Sequence, residues 1–188
     1  MRKIIFQNLI TLDGYFEGPH QEIDWHNVDA EYNDYAIGLL NRIDTILFGR
    51  VTYELMANYW PTESARKDDP IVAAAMNKTK KLVASRTLKS VEWENTELIH
   101  GDLTTEIKHL KQQLGKDIAV LGSSSMTVTL LENDLIDEFH LMLNPLILGG
   151  GKTLFSGLNH RYPLTLVETR TFKNGNVLLI YNPIRKEN

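Results

Sequence analysis

The chain repeats one local plan: a short apolar run, a glycine at its end and a helical period behind it. Thr45 to Phe48 closes on Gly49 ahead of Val51 to Tyr59, and Ile118 to Leu121 closes on Gly122-Ser123-Ser124-Ser125 ahead of a helix through about Leu131. A strand that feeds a helix returns parallel to its neighbour, so this plan predicts a parallel sheet. Ile4 to Leu12, ended by Asp13-Gly14, reads as a buried first strand, with Lys81 to Ala84 and the shorter Leu98 to His100 as further strands. Val28, Tyr32, Tyr35, Ala36, Leu39, Leu40 and Ile43 keep helical spacing behind Asn27 or Asp29 as cap. Leu103, Ile107, Leu110 and Leu114 do the same between Asp102 as N-cap and Gly115 as stop. Pro61 to Pro70 is polar and predicts an exposed loop before a short helix over Ile71 to Lys78.

Beyond Asp137 the period changes to two, with Phe139, Leu141 and Leu143 on one face and His140, Met142 and Asn144 on the other. Leu164 to Thr171 and Val177 to Asn182 flank Asn174-Gly175, a hairpin signal that asks for two residues at positive φ. The pattern predicts an α/β fold: a mostly parallel sheet, an antiparallel C-terminal edge hairpin and helices on both faces. The 188 residues suit a single domain over 1–188.

Composition narrows the partners. A net charge of −4 with interspersed signs carries no footprint for a nucleic-acid backbone, and no apolar run is long enough for a membrane span. There is no cysteine, which removes disulfides and thiolate chemistry; a cytoplasmic location is expected. Six scattered histidines lack a metal-binding pairing, so no catalytic metal is expected, and His140 reads as a half-buried structural residue. Gly150-Gly151-Lys152-Thr153 has the end of a phosphate-loop pattern, but Leu146 stands where its first glycine is required.

In open α/β sheets ligands bind beyond the carboxyl ends of the strands. Three such ends carry anion-binding chemistry. Gly49-Arg50-Val51-Thr52 offers a close backbone approach, a guanidinium and a capping hydroxyl. Ser85-Arg86-Thr87 sets hydroxyls around a second guanidinium, and Gly122 to Ser125 offers helix-start N–H groups with three hydroxyls. Each is weak alone, but their repetition along one sheet edge favours a site for several phosphates.

Ile46-Leu47-Phe48-Gly49-Arg50-Val51-Thr52-Tyr53-Glu54 resembles the strand, Gly-Arg-x-Thr and helix of the dihydrofolate-reductase-like fold. Lys81 to Arg86, Ala119 to Ser123, and Asp137 to Leu141 with Gly149 to Gly151 resemble its branch that includes the C-terminal reductase domain of riboflavin biosynthesis (RibD). The resemblance covers nearly the whole chain. It implies a three-layer α/β/α domain that binds NADPH through Gly49, Arg50, Thr52, Ser85, Arg86, Gly122, Ser123, Ser124 and Ser125, with Arg86 reading the 2′-phosphate. It further implies hydride transfer to a small pteridine- or aminopyrimidine-like ring. Asn8, Tyr32 and Met56 are the expected substrate-binding residues, and Asp29 supports or donates the proton, or only caps its helix.

Two positions depart from that pattern. Leu121 stands where the riboflavin reductases usually carry a glutamate, and Ala30, between Asp29 and Glu31, stands where dihydrofolate reductases place an acid. These favour the alternative of a non-catalytic NADPH- or ligand-binding homodimer of the same fold. Asp13 to Gly18 is a candidate lid over the nicotinamide, or a plain connection. A homodimer is expected in either case, through Leu141, Leu143, Leu146 and Leu148.

Overall fold

A computed structural model of the protein describes residues 1–185. The strands are β1 (Ile4–Thr11), β2 (Tyr15–Glu17), β3 (Ile43–Gly49), β4 (Lys80–Ala84), β5 (Thr96–Ile99), β6 (Asp117–Leu121), β7 (Glu138–Asn144), β8 (Lys152–Thr153), β9 (Leu164–Thr171) and β10 (Val177–Pro183). The helices are α1 (Ala30–Arg42), α2 (Arg50–Tyr59), α3 (Glu63–Asp68), α4 (Pro70–Lys78), α5 (Leu103–Gln112) and α6 (Ser124–Glu132). Eight strands form one sheet in the order β5-β4-β3-β6-β1-β7-β10-β9, in which β10 alone runs antiparallel to both of its neighbours. The expected three-layer, mostly parallel architecture with an antiparallel edge is the one observed.

Alternation along the central strands sorts the core into two layers. Ile4, Phe6, Ile118 and Val120 pack with Ile107 of α5 and Met126, Leu130 and Leu131 of α6. Ile5, Ala119, Ile46 and Phe48 face the other way, onto Leu39 of α1, Tyr53 of α2 and Val72 and Met76 of α4. Both faces of β7 are therefore buried, because a central strand has no solvent face. Leu141 belongs to the chain's own core, which takes it out of the expected dimer surface, whereas Leu146 stays at the surface.

Local signals held where they were local. The carboxylate of Asp29 accepts from Tyr32 N at 2.9 Å and caps α1, and Asp102 accepts from Thr105 N at 2.9 Å and caps α5. Three expectations need correction. Thr62 accepts from Ala65 N at 3.2 Å, so the polar stretch after Pro61 starts α3 instead of staying a loop. Helix α5 ends at Gln112, leaving Leu114 fully exposed; Gly115 serves a close approach instead, because a Cβ there would meet Asp44 Oδ2 at 2.7 Å. At the hairpin only Gly175 has positive φ, +90°. Gly175 N donates to Phe172 O at 3.0 Å, so the turn closes one residue earlier and Gly175 takes the bulge position. Asn174 is held by donating to Asn27 O at 3.1 Å.

The second sheet has two short strands. β2 pairs with β8, so the expected lid segment is a strand pinned to the glycine loop. Asp13 locks its base: it accepts from Leu148 N at 3.1 Å and Gly149 N at 2.8 Å. The Thr11 hydroxyl, then the Gly149 N–H, hold its pKa down at about 2. Gly151 has φ +136° and lies so close that a Cβ would fall 2.1 Å from the Glu17 carbonyl. Gly151→Ala is therefore expected to part β2 from β8, read as faster amide hydrogen exchange over Tyr15–Glu17 than in the parent protein. The run Gly150 to Thr153 thus builds a strand pair and no phosphate loop.

Candidate active site

Because β1, β3, β4 and β6 are parallel, their carboxyl ends share one edge of the sheet. Two cavities open there. The first, of about 690 Å³, is lined by Gly49, Arg50 and Thr52 after β3, Ser85, Arg86 and Thr87 after β4, and Ser123, Ser124 and Ser125 at the start of α6. The three strand-end clusters singled out from the sequence converge here. Thr104, Thr129 and Lys152 join them, contributed by α5, α6 and β8; no local pattern marked the two threonines, and Lys152 stood only in the incomplete phosphate-loop pattern.

The cluster is built by contacts between strand ends. Ser123 Oγ accepts from Gly49 N at 2.8 Å and lies 3.0 Å from Thr52 Oγ1, joining the end of β6 to the start of α2. Only glycine fits at Gly49, where a Cβ would fall 2.5 Å from Ser123 Oγ. Ser123 itself sits at φ +66°, a left-handed conformation uncommon outside glycine. Its hydroxyl is therefore a structural tie, and the groups left free to donate are the hydroxyl of exposed Ser125 and the N–H groups of the first turn of α6. Ser85 Oγ likewise accepts from Thr87 N and Leu88 N at 3.1 and 3.0 Å, shaping the turn that presents Arg86. Arg50 is paired with Glu54 at 2.8 Å and Lys152 with Glu17 at 3.3 Å, while Arg86 is exposed and has no ion pair among the described residues.

The second cavity, of about 560 Å³, lies between the sheet and α1 and α2 and is largely apolar, walled by Leu9, Ile23, Leu40, Met56 and Trp60. Asn8, Tyr32 and Met56 line it as expected, and Gly122 opens onto this cavity and not onto the first. Gln7, His26 and Asp69 line it too and were missed; Gln7 was visible only as a polar interruption of an apolar strand. Desolvation of the half-buried Tyr32 raises its hydroxyl to about 12, and desolvation lowers His26 to about 4, so both are neutral at physiological pH. Leu121 forms part of the wall, with no acid in its place. Asp29 is not brought into either cavity; its carboxylate is engaged at the α1 cap.

The cavities share Phe16, Glu17, Val51, Thr52 and Ser123. A ligand in one would therefore meet a ligand in the other near the strand ends of β3 and β6, beside Phe16 of β2.

Behind the apolar cavity a buried polar chain crosses beneath α1. Tyr35 Oη lies 2.8 Å from His140 Nδ1, His140 Nε2 lies 2.6 Å from Glu138 Oε1, and Arg42 donates to Glu138 at 2.9 Å. His140 is thus fully buried and partnered at both ring nitrogens, more enclosed than the half-buried position expected of it. Hydrogen bonding from His140, then Arg42, holds Glu138 down at about 2. A depressed carboxylate stabilises the fold above its unfolded pKa, near 4.5, and that contribution is lost as pH falls through about 2. The stability difference between the parent and Glu138→Gln is expected to be roughly 2–3 kcal/mol at pH 7 and to shrink progressively below pH ~4.5. Urea unfolding of both proteins across that range checks it.

The sheet order with its antiparallel edge is that of a dihydrofolate-reductase-like, reductase-type fold. The model of the RibD C-terminal domain matches residues 2–178, and the chain belongs to that family. YyaP, an uncharacterized protein of Bacillus subtilis (strain 168), is 36% identical over 183 residues, covering 96% of this chain and 95% of that protein. Among solved structures, the Thermotoga maritima diaminohydroxyphosphoribosylaminopyrimidine deaminase/5-amino-6-(5-phosphoribosylamino)uracil reductase superposes with a TM-score of 0.72 at 17% identity, over 97% of this chain and 57% of that one. Dihydrofolate reductase of Enterococcus faecalis, complexed with NADP(H), superposes with a TM-score of 0.64 at 14% identity, over 96% of each chain. At these identities the structures establish the fold. No helix among the described residues is long and apolar enough to cross a membrane.

Proposed function

We propose that the protein is an NADPH-dependent reductase of a small heteroaromatic, pteridine- or aminopyrimidine-like ring. The observation that carries this reading is the meeting of a cation- and hydroxyl-lined cavity with an apolar one at Phe16, Thr52 and Ser123. The residues fit the cofactor: Arg50, Arg86 and Lys152 are cations in a cavity that also holds the first turns of α2 and α6. Arg86 with Ser85 would hold a ribose phosphate, and Ser124 and Ser125 the diphosphate. When bound, the reduced nicotinamide supplies a hydride.

The chain's own part is alignment and exclusion of water. Phe16 lines the junction, Gly122 at φ +67° lets the end of β6 pack against Thr52, and Tyr32, kept protonated by desolvation, offers a hydrogen bond without giving up its proton. With Asp29 committed to its helix, the proton that accompanies the hydride does not come from its carboxylate. The same commitment, with Leu121 in the wall, favours the second reading, a non-catalytic NADPH- or ligand-binding protein of this fold.

Titrating the protein with NADPH, then following NADPH absorbance with pterins, aminopyrimidines and quinones, separates the two. Binding with turnover supports the reductase, binding without turnover supports the second reading, and no binding at millimolar NADPH removes both. A homodimer is proposed alongside, now through exposed Leu146 and Ile147; sedimentation as a monomer at micromolar concentration removes it.

A further inference from the structure

The apolar cavity differs from its neighbour in one respect that decides what it can hold. Neither lysine nor arginine lines it among the described residues, whereas Arg50, Arg86 and Lys152 line the adjoining one. Its carboxylates are Glu17, Glu54 and Asp69, and its one histidine, His26, is held neutral by burial. Glu17 and Glu54 spend their charge on Lys152 and Arg50, and Asp69 accepts from Asn33 at 2.5 Å, with no cation beside it among the described residues. A phosphate or carboxylate taken into this space would lose its water and gain no counter-charge, and it would stand close to Asp69.

Two groups nevertheless wait for a partner. Asn8 Nδ2 and His26 Nε2 are buried, line this cavity and make no hydrogen bond, although most buried polar atoms are satisfied. The other end of the Asn8 amide is already used, its Oδ1 accepting from Leu9 N at 2.9 Å, so what it offers a ligand is a donor. Asn8 is 7% exposed, and leaving its amide unpaired is costly unless a ligand supplies an acceptor.

We infer that the substrate is an electroneutral ring compound bearing a carbonyl or ring-nitrogen acceptor for Asn8 Nδ2, and that substrates with an anionic tail are excluded. The inference rests on the reductase reading for calling the bound ring a substrate. Its chemistry sets the protein apart from reductases whose substrates carry a phosphoribosyl group.

The test uses matched probes on protein saturated with NADPH and, in parallel, without it: pterin against pteroylglutamate, an aminouracil riboside against its 5′-phosphate, and a naphthoquinone against its sulfonate. Calorimetry is expected to give at least one uncharged member that binds, and at least tenfold tighter binding of the uncharged member wherever a pair binds. An anionic member that binds as tightly as its counterpart, or no uncharged member binding at millimolar concentration, overturns the inference. Uncharged rings that bind when NADPH does not would sink the reductase reading and leave this one standing.

Two variants sharpen the result. Asn8→Ala is expected to weaken the uncharged ring about tenfold with NADPH affinity unchanged, and an unchanged ring affinity overturns the role of its amide. Leu55→Arg, at an exposed position of α2 on the cavity rim, supplies the missing cation and is expected to narrow the discrimination at least fivefold; unchanged discrimination overturns the electrostatic account.

Discussion

Arg86→Ala is expected to weaken NADPH binding roughly ten- to hundredfold while changing NADH binding by no more than about twofold. The three cations of the cavity lined by Gly49, Arg86 and Ser125 are not equivalent. Arg50 and Lys152 each hold a carboxylate, Glu54 and Glu17, and must share their charge with an incoming phosphate. Arg86 has no such competitor among the described residues, and the Ser85 turn fixes its backbone at the end of β4. A guanidinium bound to phosphate contributes about 1.5–3 kcal/mol per charge-assisted hydrogen bond, which sets the size of the effect. Arg86→Lys keeps a charge but loses the planar fork, so it should recover only part of the affinity. Fluorescence titration with both cofactors checks the pair of expectations; equal losses for NADPH and NADH would show that Arg86 does not read the 2′-phosphate.

The largest stability effect is expected at the opposite edge of the sheet. Asp137 accepts from Ile4 N at 2.8 Å and from Arg185 at 2.7 Å, and it touches Nζ of Lys111, which is only 4% exposed. Lys111 also donates to Leu135 O at 2.9 Å, so one ammonium and one carboxylate join α5, β1 and the lead into β7. Asp137→Ala leaves the ammonium buried without its counter-charge and is expected to cost about 3–5 kcal/mol in chemical denaturation. Adding Lys111→Met removes the stranded charge, and the double variant should regain roughly 1–3 kcal/mol. An additive double variant would show that the pair is not coupled. Cofactor affinity should be unchanged below the unfolding midpoint, because Asp137 lies at the amino end of the strands and the cavities at the carboxyl end.

Much of the fold was legible because its signals are local. Strand and helix periods depend on neighbours a few residues away, and Asp29 and Asp102 cap helices through N–H groups three residues on. The strand-end clusters were legible for a similar reason: glycine, arginine and hydroxyl residues mark a turn wherever it lies in space. Errors fell where a local signal had two readings. Thr62 served a helix inside a polar stretch, and Gly115 served a close approach instead of a helix stop.

By itself the sequence determined the order of the main strands and helices, the parallel sheet with its antiparallel edge and the turns that carry arginine and hydroxyl residues, since these follow from period, capping and chirality; it did not mark α3, β2 or β8. Only the tertiary structure decided which of those groups are free. Ser123 is consumed by Gly49, 74 residues away, and Lys152 is paired with Glu17 across the second sheet, while Arg86 stays unpaired among the described residues. It also decided that, among the described residues, one cavity carries cations and the other none, a property of charges drawn from strands and helices far apart in the chain. The physical reason is range: propensity and capping act within a turn or two, whereas desolvation and charge pairing depend on whatever the folded sheet brings within a few ångströms.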